Sequence, residues 1–161
     1  MFAWSYEDLK AYDANIIQHK IPIKEDKNPF KQKLRRINPM LLPFIEKEVK
    51  IMYDAQIIAP IRYSDWVSNL VPIRKKTREI RLCVDFRNLN KVSFEDNYPL
   101  PKMDHILQRV VGSSRISLLD GFSGYNQILV QKEDQAKTDF TTPWGTFIYV
   151  IHVYLFFQIP I

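Results

Sequence analysis

Residues Ser117-Leu118-Leu119-Asp120-Gly121-Phe122-Ser123-Gly124-Tyr125-Asn126-Gln127-Ile128 decide how this chain is read. Ile116, Leu118 and Leu119 make an apolar strand that ends in the carboxylate of Asp120. Two glycines follow, and Tyr125 stands five residues after the acid. A carboxylate at a strand end, with glycines that let another molecule come close, suits a hard cation and a substrate that presses on the backbone. A plain Asp-Gly turn after a strand is the competing reading on these residues alone.

Three other blocks give the run its context. Upstream stand Leu82-Cys83-Val84-Asp85-Phe86-Arg87-Asn88-Leu89-Asn90-Lys91 and then Tyr98-Pro99-Leu100-Pro101. Downstream stands Lys137-Thr138-Asp139-Phe140-Thr141-Thr142-Pro143-Trp144-Gly145-Thr146-Phe147. In this order and at these distances, the four blocks resemble the fingers and palm of a reverse transcriptase. They look most like the Pol polyprotein of gypsy-class LTR retrotransposons, particularly those of plants. The resemblance runs over about residues 2 to 147 and includes the Phe2-Ala3-Trp4-Ser5-Tyr6-Glu7-Asp8-Leu9 opening.

Composition sets outer bounds. A chain of 161 residues with 46% hydrophobic residues can bury a core, so wholesale disorder is not expected. The net charge of +5 suits an anionic partner, or simply a solvated surface. Cys83 is the lone cysteine, which excludes an internal disulfide and a cysteine-rich zinc site; a small buried apolar role is expected for it. No apolar run reaches the ~20 residues that span a bilayer, and the start lacks a secretory pattern, so an intracellular address, cytoplasmic or nuclear, is expected. His19, His105 and His152 form no constellation in sequence.

Residues 1–37 read as a loosely attached leader preceding the polymerase, with a basic cluster at Lys31, Lys33, Arg35 and Arg36. Asn38 then caps a helix with Pro39 at its first position. Leu42, Ile45, Val49 and Met52 make one apolar face of that helix, and Glu46 and Lys50 are spaced to pair on the other. Residues 57–58, 66–73 and 80–86 read as successive strands of a small antiparallel sheet. A second helix is expected near residues 102–111, with Met103, Ile106, Leu107 and Val110 buried and Gly112 ending it. Residues 128–130 and 138–142 read as a further strand pair. The resemblance turns this into an α+β fold: the N-terminal fingers and a partial palm of a right-hand polymerase, small antiparallel sheets packed with helices. Its expected divisions are fingers at 38–94, partial palm at 95–127, returning fingers strands at 128–150 and a tail outside the family pattern at 151–161.

What the resemblance implies chemically is template-directed DNA synthesis, a nucleotidyl transfer. Such chemistry uses two hard cations about 4 Å apart, with oxygen ligands that suit magnesium. Asp120 matches the first of the family's three metal-binding aspartates and is the catalytic candidate. Gly121 and Phe122 match the loop under the incoming triphosphate. Tyr125 matches the aromatic ring that leaves no room for a 2′-hydroxyl, unless it is simply a core tyrosine. Lys75 and Arg81 match the two fingers residues that hold the triphosphate. Residues 74–91 contain seven Lys or Arg against Glu79 and Asp85, a cationic hairpin able to neutralise phosphates. Asp85 and Arg87 are expected to position the fingers strand. Partners of the full-length enzyme would be an RNA or DNA template-primer and deoxynucleoside triphosphates.

The chain also departs from the family. It has no adjacent Asp-Asp pair, so the two remaining metal-binding aspartates are missing. The segment after Tyr149 departs as well, and Ile151-His152-Val153-Tyr154-Leu155-Phe156-Phe157-Gln158-Ile159-Pro160-Ile161 reads as a shifted frame or mis-joined exon. No glycine turns the 75–80 hairpin. Gln56 stands where a glycine is usual after the first helix, and Asp139 interrupts an apolar strand. One carboxylate does not hold two magnesium ions, so this polypeptide is expected to be inactive alone. The alternatives are a nucleic-acid-binding remnant and a fossil product without function.

Overall fold

The computed structural model describes residues 10–74, 80–94, 102–117 and 124–151, with backbone only for Gly124 and Tyr125. The Asp120 strand, the 75–79 turn, Pro99 and Pro101, and the 152–161 tail lie outside the described residues.

Asn38 opens the first helical segment as its residue type dictates, its Oδ1 accepting the Met40 N–H at 3.0 Å. A 3-10 turn at Pro39–Leu41 leads into helix α1, Leu42–Asp54. Ile45 and Val49 are buried, while Glu46 and Lys50 stay exposed and do not pair. At the far end Gln56 N–H donates to Tyr53 O and Ile57 N–H to Met52 O, both at 2.9 Å. These are the two bonds of a Schellman stop, which needs a left-handed residue between them. Gln56 takes φ 57°, the strained position anticipated for it.

Five strands follow: β2 (Ile58–Pro60), β3 (Ser68–Arg74), β4 (Ile80–Val84), β6 (Phe140–Thr142) and β7 (Gly145–Tyr149). They make one mixed sheet in the order β2-β7-β6-β3-β4. The β3–β4 hairpin is antiparallel, with Leu70 opposite Val84 and Ile73 opposite Arg81. The junction of β3 with β6 is parallel, Ser68 opposite Phe140. So β2 does not neighbour β3; β7 and β6 insert between them. Likewise residues 128–130 do not pair with 138–142. Instead β5 (Leu129–Val130) pairs in parallel with β1 (Gln18–His19) in the leader. One core joins these pieces: Ile21, Ile45, Ile58, Trp66, Leu70, Phe86, Leu89, Val130, Phe140 and Tyr149 are all buried within it.

The leader corrects one expectation. Far from hanging loose, its described part, residues 10–37, is strapped across the domain. Ile21 is buried, its N–H donating to Asp134 Oδ2 at 2.7 Å, while Lys137 Nζ donates to Ile21 O and to Asp134 Oδ1. A basic, polar composition hid a backbone that finds fixed partners in distant segments.

Helix α3, Met103–Val110, is the second correction. It ends as expected at Gly112, φ 85°. Its apolar face, however, is open: Met103 is 68% exposed, Leu107 54% and Ile106 42%. No described residue packs on it closely enough to bury a single side chain of the helix. An amphipathic stripe announces a helix that can be buried, not a partner that buries it.

Candidate nucleic-acid interface

The site is built around one buried carboxylate. Asp85 follows the last residue of β4, where the strand turns into helix α2 (Arg87–Val92), and its side chain is 5% exposed. The turn is signalled by Phe86, Leu89 and Val92 at helical spacing, a pattern a strand reading of 80–86 overruns. Arg87 grips Asp85 with two bonds of 2.7 Å, Nε to Oδ1 and Nη2 to Oδ2. Arg35 of the leader adds a third from Nη2 to Oδ2 at 3.1 Å. The Arg87 hydrogen bonds, more than the charges, hold the Asp85 carboxyl below its usual range despite burial. Asp85 and Arg87 thus have the positioning job expected of them.

Three segments converge here. Asn69 on β3 donates from Nδ2 to Lys33 O at 2.9 Å, and its Oδ1 accepts the Arg35 N–H at 3.0 Å. Asp85 N–H donates to Asn69 O at 2.9 Å. Gln32 bridges Asn69, Asp85 and Asn88 with its side-chain amide. The result is an open cleft of about 350 Å³, lined by Phe30, Gln32, Lys33, Arg35, Asn69, Asp85, Arg87, Asn88 and Lys91. Four cationic side chains face one carboxylate that is already paired, so the cleft keeps a positive excess beside an aromatic ring. Such a surface accepts phosphates and a stacked base.

Among the residues proposed from sequence, Arg81 lies exposed on β4, opposite Ile73. Tyr125 falls in a 3-10 turn, Gly124–Gln127, whose Gln127 O accepts the Tyr12 N–H at 2.7 Å. Lys75, Asp120, Gly121 and Phe122 lie outside the described residues. What sequence reasoning missed is the joining of Lys33 and Arg35 to Asp85 and Arg87. The leader's basic cluster was the available signal, but charge alone does not say which face it lands on.

A second open cleft, about 470 Å³, lies beside Lys31, Arg62, Ser64, Asp139, Thr141 and Thr146. Asp139 is 2% exposed and its Oδ1 has no hydrogen-bond partner. Burial pushes its carboxyl up to about 6. Among the described residues no helix is long and apolar enough to cross a membrane, and no group of three or more His, Cys, Asp or Glu could hold a metal ion.

Comparison with known proteins places this geometry. No protein-family model matches the chain. It is 37% identical over 68 residues to an RNA-directed DNA polymerase homolog of Oenothera berteroana, covering 42% of this chain and 48% of that protein. It is 29% identical over 110 residues to the retrovirus-related Pol polyprotein from transposon 297 of Drosophila melanogaster, covering 66% of this chain and 10% of the polyprotein. Over 82 residues it is 37% identical to the transposon Tf2-3 polyprotein of Schizosaccharomyces pombe, 51% of this chain and 6% of that one. The chain therefore spans about half of the first relative and a tenth or less of the polyproteins. Its fold matches a prototype foamy virus protease-reverse transcriptase with a TM-score of 0.75 at 22% identity, over 94% of this chain and 21% of that one. The same viral enzyme in complex with an RNA/DNA hybrid matches with a TM-score of 0.68 at 18% identity, over 92% and 21%. Its homologues are thus retrotransposon Pol polyproteins and an RNA-directed DNA polymerase homolog, each matched over part of its length, and its fold is that of a reverse transcriptase.

Proposed function

We propose that this chain is the template- and nucleotide-facing part of an RNA-directed DNA polymerase from a gypsy-class, plant-like element. On this reading residues 1–37 precede the polymerase, 38–94 are fingers, 95–127 partial palm, 128–150 returning fingers strands and 151–161 a non-family tail. Lys75 and Arg81 grip the triphosphate, Gly121 and Phe122 lie beneath it, and Tyr125 excludes a 2′-hydroxyl. Asp120 is the metal-binding carboxylate. The partners are an RNA or DNA template-primer and deoxynucleoside triphosphates. The observation that carries the reading is the positive cleft around Asp85, in a fold shared with an enzyme whose structures include double-stranded DNA and an RNA/DNA hybrid.

Among the described residues no group of carboxylates gathers to hold a pair of magnesium ions. Asp120 is a single carboxylate, and Asp134, near it in sequence, already binds Ile21 N–H and Lys137. No metal-dependent step is assigned to the polypeptide by itself; its work is to bind. The experiment is a salt titration of binding to a single-stranded oligodeoxythymidylate, alongside primer extension with magnesium or manganese. Affinity should fall as salt rises, with a slope of roughly −0.7 per phosphate neutralised, and should weaken in Arg81→Ala and Lys75→Ala. No primer should be extended. Affinity indifferent to salt and to both substitutions overturns the interface; template-dependent incorporation above an Asp120→Ala control overturns the inactivity.

A further inference from the structure

We infer that Gln32, in the leader, is a positioning residue for the nucleic-acid cleft: it fixes the turn that aims Arg87, so the leader is a structural half of the interface. The inference rests on the nucleic-acid reading of the cleft.

A glutamine amide offers two N–H donors and two acceptor lone pairs. Gln32 uses all four. Its Nε2 donates to Asp85 O at 2.8 Å and to Asn88 Oδ1 at 2.9 Å. Its Oε1 accepts from the Asn69 N–H and from Asn69 Nδ2, both at 3.0 Å. These partners are 37 to 56 residues away in sequence, on β3 and on the β4–α2 turn. The Gln32 N–H itself donates to Val67 O at 2.9 Å, which ties the leader backbone to the residue before β3. A side chain saturated in this way has one orientation, and it sets the spacing of the two walls it joins.

The consequence falls on Arg87. Its guanidinium is bound edge-on to Asp85, yet the side chain is 67% exposed, leaving donors directed at solvent. Where those donors point depends on the Asp85–Asn88 turn, and the groups that pin that turn from the leader side are Gln32 and Arg35. Arg35 contributes charge as well as position; Gln32 contributes position alone. Glutamate cannot replace it, because both of its oxygens accept, and one would face Asp85 O and Asn88 Oδ1.

The test is a double-mutant cycle on binding to the same oligodeoxythymidylate, using the full chain with Gln32→Ala, Arg87→Ala and both together. Thermal unfolding of each variant reports the fold. Gln32→Ala should lower affinity about tenfold, make the salt slope shallower by about one phosphate, and add little once Arg87 is alanine. A residue that only stabilises the fold would leave the salt slope alone and act additively, and either outcome overturns the inference. So does unchanged affinity in a folded Gln32→Ala. Should that variant not fold, Gln32→Asn is read the same way, because it keeps the amide but is one methylene too short to reach both walls. Wild-type binding that ignores salt defeats the cleft reading itself; salt-dependent wild-type binding with an additive cycle defeats only the role of Gln32.

Discussion

Helices α1 and α3 carry the same kind of apolar stripe: Leu42, Ile45, Val49 and Met52 in one, Met103, Ile106, Leu107 and Val110 in the other. In α1 the stripe meets β2, β4 and the core, and Ile45 is fully buried. In α3 no residue is buried. The two termini differ in the opposite sense. The open helix stops on Gly112, which takes its positive φ without strain, whereas the packed helix stops on Gln56, which does not. Packing that is good enough holds a helix end whose local chemistry is poor, and good local chemistry does not by itself recruit packing.

The largest test of this contrast is Ile45→Ala, which should cost about 2 to 5 kcal/mol in urea unfolding, as expected when a packed side chain leaves a cavity. A loss below 1 kcal/mol would mean α1 is no better anchored than α3. The packed side also contains a flaw, the buried Asp139 carboxyl, whose Oδ1 has no hydrogen-bond partner. Because its folded value, about 6, lies above the usual 3.8, the fold prefers the protonated acid. Its contribution is whole below about pH 4 and lost as pH rises through about 6. Asp85 runs the other way: its lowered value gives stability that is lost as pH falls through it, below 3.8. Unfolding free energy measured against pH should therefore decline on both sides. Asp139→Asn should remove the decline near pH 6 and gain about 1 to 2 kcal/mol at pH 7, allowing for the nearby solvent-filled cleft. A pH profile unchanged by that substitution would remove the flaw.

Gln56→Gly should stabilise by about 1 kcal/mol, since only the left-handed strain is relieved. Denaturant midpoints of the two proteins decide it, and a loss would show that the Gln56 side chain has a contact worth more than the strain. Smallest of all, Leu107→Ala in α3 should change stability by less than about 0.5 kcal/mol, as for other exposed substitutions. A cost comparable with Ile45→Ala would show that the α3 face is covered in solution.

The local features were legible from residues alone. Asn38 and Pro39 start a helix, Gly112 ends one at positive φ, and residues 68–74 and 80–84 form a hairpin, while Gln56 at positive φ was marked by the family pattern and not by its neighbours. The four sequence blocks carry the resemblance to reverse transcriptases that the homologues and the fold bear out. These follow from interactions between near neighbours: a side chain capping an amide two residues on, a backbone angle open to glycine, a period of apolar residues. Tertiary structure decided the rest. It placed β6 and β7 between β2 and β3, joined β5 to the leader, and brought Gln32 and Arg35 to Asp85. Strand pairing and burial depend on which distant segment arrives at an edge or a face, and periodicity is silent about that. The polar leader shows it most plainly: its basic cluster gave no partner in sequence, whereas in the fold Lys33, Arg35 and Gln32 are held by Asn69 of β3 and Arg35 also by the Asp85 carboxylate.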